Sequence, residues 1–208
     1  MTRSFPALAL CSNFRSIWLF RVSLQRDFIM PKYFAFLRAI NVGGHTVKMD
    51  YLRSVFEELG FSNVETFIAS GNVIFDSTSK SSRSLEKKIE TALEKSLGYE
   101  VITFVRSLSE LAEIAAYQPF APKDMSAAGH SVFVGFMAGS PSEAAKHKVL
   151  SLATKDDDFH LNGREVYWLR RTKFSDSTIY GVQLAKALGM PATLRNSNTI
   201  KRLAAKYC

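Results

Sequence analysis

Hydrophobic and polar positions along this chain follow two different periods, and the switches between them mark out the elements. The apolar, aromatic run YFAFLRA at residues 33–39 predicts a buried strand. In MDYLRSVFEEL, residues 49–59, Leu52, Val55, Phe56 and Leu59 fall on one face at helical spacing, and Gly60 follows as a terminator. VETFIAS at 64–70 and NVIFD at 72–76 flank Gly71 and predict a hairpin. Residues 84–97 place Leu85, Ile89, Leu93 and Leu97 at every fourth position, an amphipathic helix closed by Gly98. VITFVR at 101–106 predicts another strand. The order β-α-β-β-α-β is the ferredoxin-like one.

The order then repeats. A linking helix over 107–117, capped by Ser107 or Ser109 and turning Leu108, Leu111, Ile114 and Ala115 inward, runs into Pro119 and Pro122. Beyond them come a strand at 131–137 and a helix at 141–152, with Ser140 as cap and Pro141 at its first position. Strands at 159–161 and 165–169 flank Asn162 and Gly163, a two-residue hairpin signal. A helix at 177–188 ends at Gly189 and Pro191, a short strand follows at 192–195, and a last helix at 198–207 has Asn198 as cap. The repeat lies in element order, not in residue identity. The expected fold is α+β: two tandem ferredoxin-like halves with antiparallel sheets, 30–106 and 130–208, joined by a linking helix and loop at 107–129. In such a sheet the loop leaving the first strand lies beside the tip of the hairpin.

Residues 1–29 break the pattern. They hold four arginines and one acid, with Phe5, Phe14, Trp18, Phe20 and Phe28 at no clean period. The apolar run PALAL is too short for a secretory signal. The expectation is that Met30 is the natural start and that the extension lies outside the domain, with a targeting segment as the alternative. Leaving those residues out lowers the net charge from +8 to +5. A basic balance favours anionic partners, though excess Lys and Arg also simply keep a protein in solution. No apolar run is long enough to span a bilayer, so no membrane is expected. The two cysteines, Cys11 and Cys208, sit near opposite termini and form no disulfide framework, which points to a reducing, cytoplasmic setting.

Three segments carry polar residues beyond what their elements need. In LRAINVGGHTVK, Arg38 and Asn41 lead into Gly43 and Gly44, which permit close approach of a ligand to the backbone. The next helix begins just beyond, so its free N–H groups and the charge of Lys48 suit an anion, while a plain turn is the competing reading. In IASGNVIF, Gly71 serves the turn, and Ser70 and Asn72 either bond their own backbone or face the first loop. In TLRNSNTIKRL, Asn198 or Ser197 accounts for a helix cap, which leaves Arg195 and Asn196 to bind an anion, a carboxylate or a base edge. RRTKFSDS at 170–177 suits either phosphate contact or a solvated edge. His45, His130, His147 and His160 lack ligand spacing, so neither a metal nor a cofactor is expected. Asp156, Asp157 and Asp158 read as a polar turn before a strand.

LRAINVGG with the following VKM, LGFSNVETFIASGNVIF and TLRNSNTIKRL, in that order, resemble the domain of unknown function 1697 family, widespread in bacteria. The resemblance runs from about Tyr33 to the C-terminus and implies a fold of two ferredoxin-like halves. It marks Arg38, Asn41, Gly43, Gly44, Ser70, Gly71, Asn72, Arg195, Asn196 and Asn198 as shared positions and implies no activity. The expected function is binding of an anionic ligand, a nucleotide or a nucleic acid. The alternatives are an enzyme acting on a small phosphorylated or carboxylated metabolite, and a homo-oligomeric structural protein whose polar motifs hold the two halves together. Sequence-specific RNA reading has little support, because the paired aromatics of the RNP consensus are missing. The sequence sets no oligomeric state.

Overall fold

The computed structural model describes residues 30–41, 46–172 and 181–208. The extension at 1–29, Gly43 and Gly44, and the start of the helix expected at 177–188 lie outside the described residues.

The first half follows the predicted order: β1 (Lys32–Leu37), α1 (Met49–Glu58), β2 (Ser62–Thr66), β3 (Asn72–Asp76), α2 (Ser82–Leu97) and β4 (Thr103–Ser107). Its sheet is antiparallel with strand order β2-β3-β1-β4. After α3 (Leu108–Ala116) and the short α4 (Pro122–Ser126) come β5 (Ser131–Met137), α5 (Glu143–Leu150), β6 (Asp157–Asn162), β7 (Glu165–Arg170), α6 (Gly181–Leu188), β8 (Ala192–Asn196) and α7 (Ser197–Tyr207). The second sheet, β6-β7-β5-β8, repeats the order of the first, strand for strand. Both are the ferredoxin-like arrangement. Among the described residues no helix is long and apolar enough to cross a membrane.

Several boundaries differ from the expectation because side chains capture orphan helix N–H groups one or two residues away from the predicted cap. Ser142, not Ser140, caps α5, and Asn196, not Asn198, caps α7 by accepting from the Asn198 N–H. The tight turn of the second hairpin is Gly163–Arg164, since Asn162 already pairs with Glu165. Asp157 is no turn residue. It is buried in β6, where it accepts from the Trp168 indole at 2.7 Å, and Arg170 lies 3.8 Å away.

Each sheet has one face covered by its own helices. Val55, Phe56, Ile89 and Leu93 of α1 and α2 pack under the first sheet, and Val149, Leu184 and Leu188 of α5 and α6 under the second. The other two faces cover each other. Phe34, Phe36 and Phe104 meet Val134, Phe136 and Tyr167, with Leu111 and Ile114 of α3 and Ile200 and Leu203 of α7 completing one cluster. Phe36 and Phe136 stack with centroids 3.9 Å apart and planes 9° off parallel. Large aromatic groups contribute the greatest apolar burial per residue, so this shared layer joins the two halves. It also consumes the sheet faces through which ferredoxin-like domains stack bases: Phe34, Phe36 and Phe104 are at most 1% exposed.

Candidate functional site

The end of β1 is held by its neighbours. Leu37 N–H donates to Gly71 O at 2.8 Å, and Arg38 N–H donates to Ile102 O at 2.9 Å. Gly71 has φ 72°, and a side chain there would press on Ile40 Cβ at 3.0 Å and Leu37 Cβ at 3.2 Å. Both the turn and the close packing therefore demand glycine. Asn41 sits between loop and hairpin, donating from Nδ2 to Ala69 O at 2.9 Å and accepting from Val47 N–H at 2.7 Å. The expected meeting of the first loop and the hairpin tip is thus made through a side chain 28 residues from its partner.

The backbone is strained at this place. Ala39, Asn41 and Ile68 take φ of 63°, 56° and 52°. For Asn this is ordinary, but for a β-branched isoleucine it costs on the order of 1–3 kcal/mol. Ile68 is nevertheless 44% exposed. Sequence reasoning placed it in a strand, since a β-branched residue in a β-rich run carries no signal for a left-handed turn.

Arg195, on β8, crosses to this end of the first half. Its Nε donates to Asn72 Oδ1 at 2.5 Å, and its two terminal nitrogens donate to Leu37 O at 2.8 Å, Gly71 O at 3.2 Å, Thr193 Oγ1 at 2.9 Å and Leu194 O at 2.8 Å. All five guanidinium N–H groups are therefore engaged inside the protein. The guanidinium also lies 5.9 Å from the Phe36 ring centroid. Asn72 is equally committed: it is 1% exposed, and Nδ2 donates to Phe67 O and Ser70 Oγ, both at 2.9 Å. Contact of either residue with a ligand, which the sequence suggested, would compete with these buried hydrogen bonds.

A reciprocal arginine stands at the opposite end. Arg106 on β4, fully buried, donates from Nε to Glu165 at 2.7 Å and from a terminal nitrogen to Met137 O at 2.9 Å and Arg164 O at 3.3 Å. Met137 ends β5 as Leu37 ends β1, and Glu165 begins β7 as Asn72 begins β3. The two clamps differ at the Nε partner, and Arg195 alone also bonds a side-chain hydroxyl, that of Thr193. Arg106 has a carboxylate, whereas Arg195 has a carboxamide. Among the described residues no acid pairs with Arg195, and burial alone pushes its pKa down to about 10. At neutral pH it is a buried cation with no counter-ion among the described residues.

Beside this cation lies a groove of about 730 Å³. Its walls are the segment from Leu37 to Asn41, the hairpin tip from Ile68 to Ser70, α6 from Gly181 to Ala185, and β8 from Ala192 to Arg195. Among the described residues the walls hold two arginines and neither a carboxylate nor a histidine. The Arg38 side chain is exposed at its lip. Three of the expected residues lie apart from it. Lys48 is exposed as the residue before α1, Asn196 is used as the α7 cap, and Asn198 borders a separate small cavity with Tyr117 and Lys201. The reason is direction: β8 carries Arg195 inward, and α7 then leads the chain away.

Comparison with known proteins adds the family. The profile described as protein of unknown function (DUF1697) matches residues 30–167, and the chain belongs to that family. A solved structure, that of the conserved bacterial protein SP0830 from Streptococcus pneumoniae, is similar with a TM-score of 0.69 and 24% identity. The match covers 86% of this chain and 98% of that one, a likeness of fold. No curated protein matches.

Proposed function

We propose that this member of the family binds a small anionic ligand of nucleotide size in the groove between the β1 end, the hairpin tip and β8. The observation that carries this reading is the unpaired charge of Arg195. The fold contains the same clamp twice, and only the copy beside the groove lacks a carboxylate. A buried cation in a low-dielectric wall projects a field that water screens poorly, so an anion in the groove is stabilised without touching it. Arg38 at the lip supplies the direct charge-assisted contact, and Ser70 a hydroxyl. The volume falls in the range of small-molecule sites, about 300–1,000 Å³. The burial of Phe34, Phe36 and Phe104 argues against nucleic acid stacked on a sheet face. With neither acid nor histidine in the described walls, binding is the reading, not acid–base catalysis.

The test is a thermal-shift screen of nucleotides and phosphorylated metabolites on the parent and on Arg38→Ala. A true ligand at a hundredfold excess over Kd stabilises by about 2.7 kcal/mol. Arg38→Ala should weaken that ligand roughly tenfold or more and leave the unliganded melting temperature unchanged. Undiminished binding to Arg38→Ala would put the site elsewhere.

A further inference from the structure

The two halves also differ along their outer sheet edges. In the first half β4 is the edge strand, and its outward N–H groups are capped by carboxylates from α2. Val105 N–H donates to Glu86 and Thr103 N–H to Glu90, each at 2.9 Å. In the second half β8 is the edge strand, and α6 faces it across the groove. Thr103 pairs with Leu37, the last residue of β1, and Ala192 pairs with Met137, the last residue of β5. Ala192 and Leu194 therefore hold the places of Thr103 and Val105, with their N–H groups turned away from β5. On the helices, Leu184 and Leu188 are buried four residues apart, as Ile89 and Leu93 are. Matching these two pairs sets Gly181 against Glu86 and Ala185 against Glu90. Contact agrees with this alignment: a side chain on Gly181 would lie 3.5 Å from Leu194 Cδ1.

The second half has thus lost both carboxylate caps. Thr103 and Val105 are buried, whereas Ala192 and Leu194 are partly exposed and line the groove. Among the described residues no group accepts from the Ala192 or Leu194 N–H. An open strand edge offers unpaired backbone donors. Here they open into the groove that holds the unpaired cation.

Resting on the anion-site reading above, we infer that the ligand carries two anionic groups, which take the places vacated by the Glu86-like and Glu90-like carboxylates and accept from Leu194 N–H and Ala192 N–H. Alternate residues of a strand lie about 6.7 Å apart. One carboxylate is too small to serve both amides. A polyphosphate chain or a dicarboxylate reaches both, and these are the two sources to be separated.

The decisive variant restores the missing caps. Gly181→Glu/Ala185→Glu presents two carboxylates to β8. A Cβ on Gly181 makes an ordinary contact with Leu194 at 3.5 Å, and both Gly181 and Ala185 are at least partly exposed. Ala185→Glu alone is the milder version, should the double variant fold poorly. Lys186→Gln, an exposed change on the same helix, lowers the charge by the same amount as Ala185→Glu without facing the edge. ADP, tripolyphosphate and glutarate are the probes, with melting temperature as the readout on the full chain. The parent and Lys186→Gln should be stabilised by a polyphosphate or by the dicarboxylate, which identifies the source. The capped variants should lose that shift and melt no lower than the parent. Amide hydrogen exchange gives a readout that needs no ligand: Ala192 and Leu194 should exchange faster than Thr103 and Val105 in the parent, and slow down in the capped variants. A shift that survives both substitutions, or parent Ala192 and Leu194 amides as protected as those of β4, overturns the inference. If such a shift still disappears in Arg38→Ala, the anion groove stands and only the edge contacts fall. No shift with any probe overturns the ligand class.

Discussion

Replacing Glu165 by glutamine tests the idea that a buried arginine in this fold needs an acceptor more than it needs a counter-ion. Arg106 is fully buried, and its Nε donates to Glu165 at 2.7 Å, with further bonds to Val105 O, Met137 O and Arg164 O. Glutamine keeps an oxygen where the carboxylate oxygen was and removes only the charge. That recreates at Arg106 the arrangement already present between Arg195 and Asn72. Arg106 stays ionised, so its bond to glutamine is still charge-assisted; what is lost is the stronger pull of a full charge over a dipole, about 1–2 kcal/mol. Glu165→Ala removes the acceptor as well. It leaves a buried guanidinium short of one partner, at a cost of about 3–5 kcal/mol. In a chain of this size each kcal/mol lowers the melting temperature by about 2–4 °C, so the two variants are well separated by calorimetry. Urea unfolding of both should move the midpoint without changing the slope. Equal destabilisation by glutamine and alanine would refute the reasoning. It would mean that the carboxylate charge is indispensable, and it would remove the physical basis for leaving Arg195 unpaired.

Two further outcomes follow from the geometry. The carboxyl of Glu86 is pushed above its ordinary value of 4.5, chiefly by burial, while the Val105 N–H and nearby arginines pull it the other way. The folded state binds this proton more readily than the unfolded chain, so the carboxylate costs stability above the folded pKa, and that cost fades as pH falls through it. Glu86→Gln should therefore raise the melting temperature at pH 7–8, with the gain gone below the ordinary glutamate value; a gain that persists in strong acid contradicts this assignment. Gly71→Ala forces a side chain into a left-handed residue 3.0 Å from Ile40, and should cost about 2 kcal/mol or more in urea unfolding. A neutral result would mean that the β1 end and the hairpin tip are not packed as tightly as described.

Much of the site was legible because its parts belong to local patterns. Asn41 and Gly71 were marked as loop and turn residues, and the ferredoxin-like order alone put them side by side. The link between Asn41 and Ala69 follows from that topology. Arg195 was legible as a residue in excess of helix capping, but its role was not. Its acceptor Leu37 O is 158 residues away, and nothing in TLRN tells whether the guanidinium faces water or the other half. Ile68 was illegible for another reason, since its left-handed backbone is imposed by the packing of the tip and contradicts its own propensity.

What the sequence determined by itself is the order of elements and its repetition. Periods of two and of 3.6 residues, glycine stops and capping side chains are short-range properties, and they act before any tertiary contact forms. The tertiary structure alone decided which faces meet and which charges are left without partners. The stacking of Phe36 on Phe136 closes both sheet faces, and the exchange of Arg106 and Arg195 between the halves depends on that closure. Among the many differences between the two copies are three carboxylates: Glu165 stands against Asn72, and Glu86 and Glu90 are matched with Gly181 and Ala185. In sequence these are unremarkable residues at unaligned positions. Superposed by the fold, they remove three carboxylates from around a single groove, and the low dielectric of the interior makes that difference in charge count.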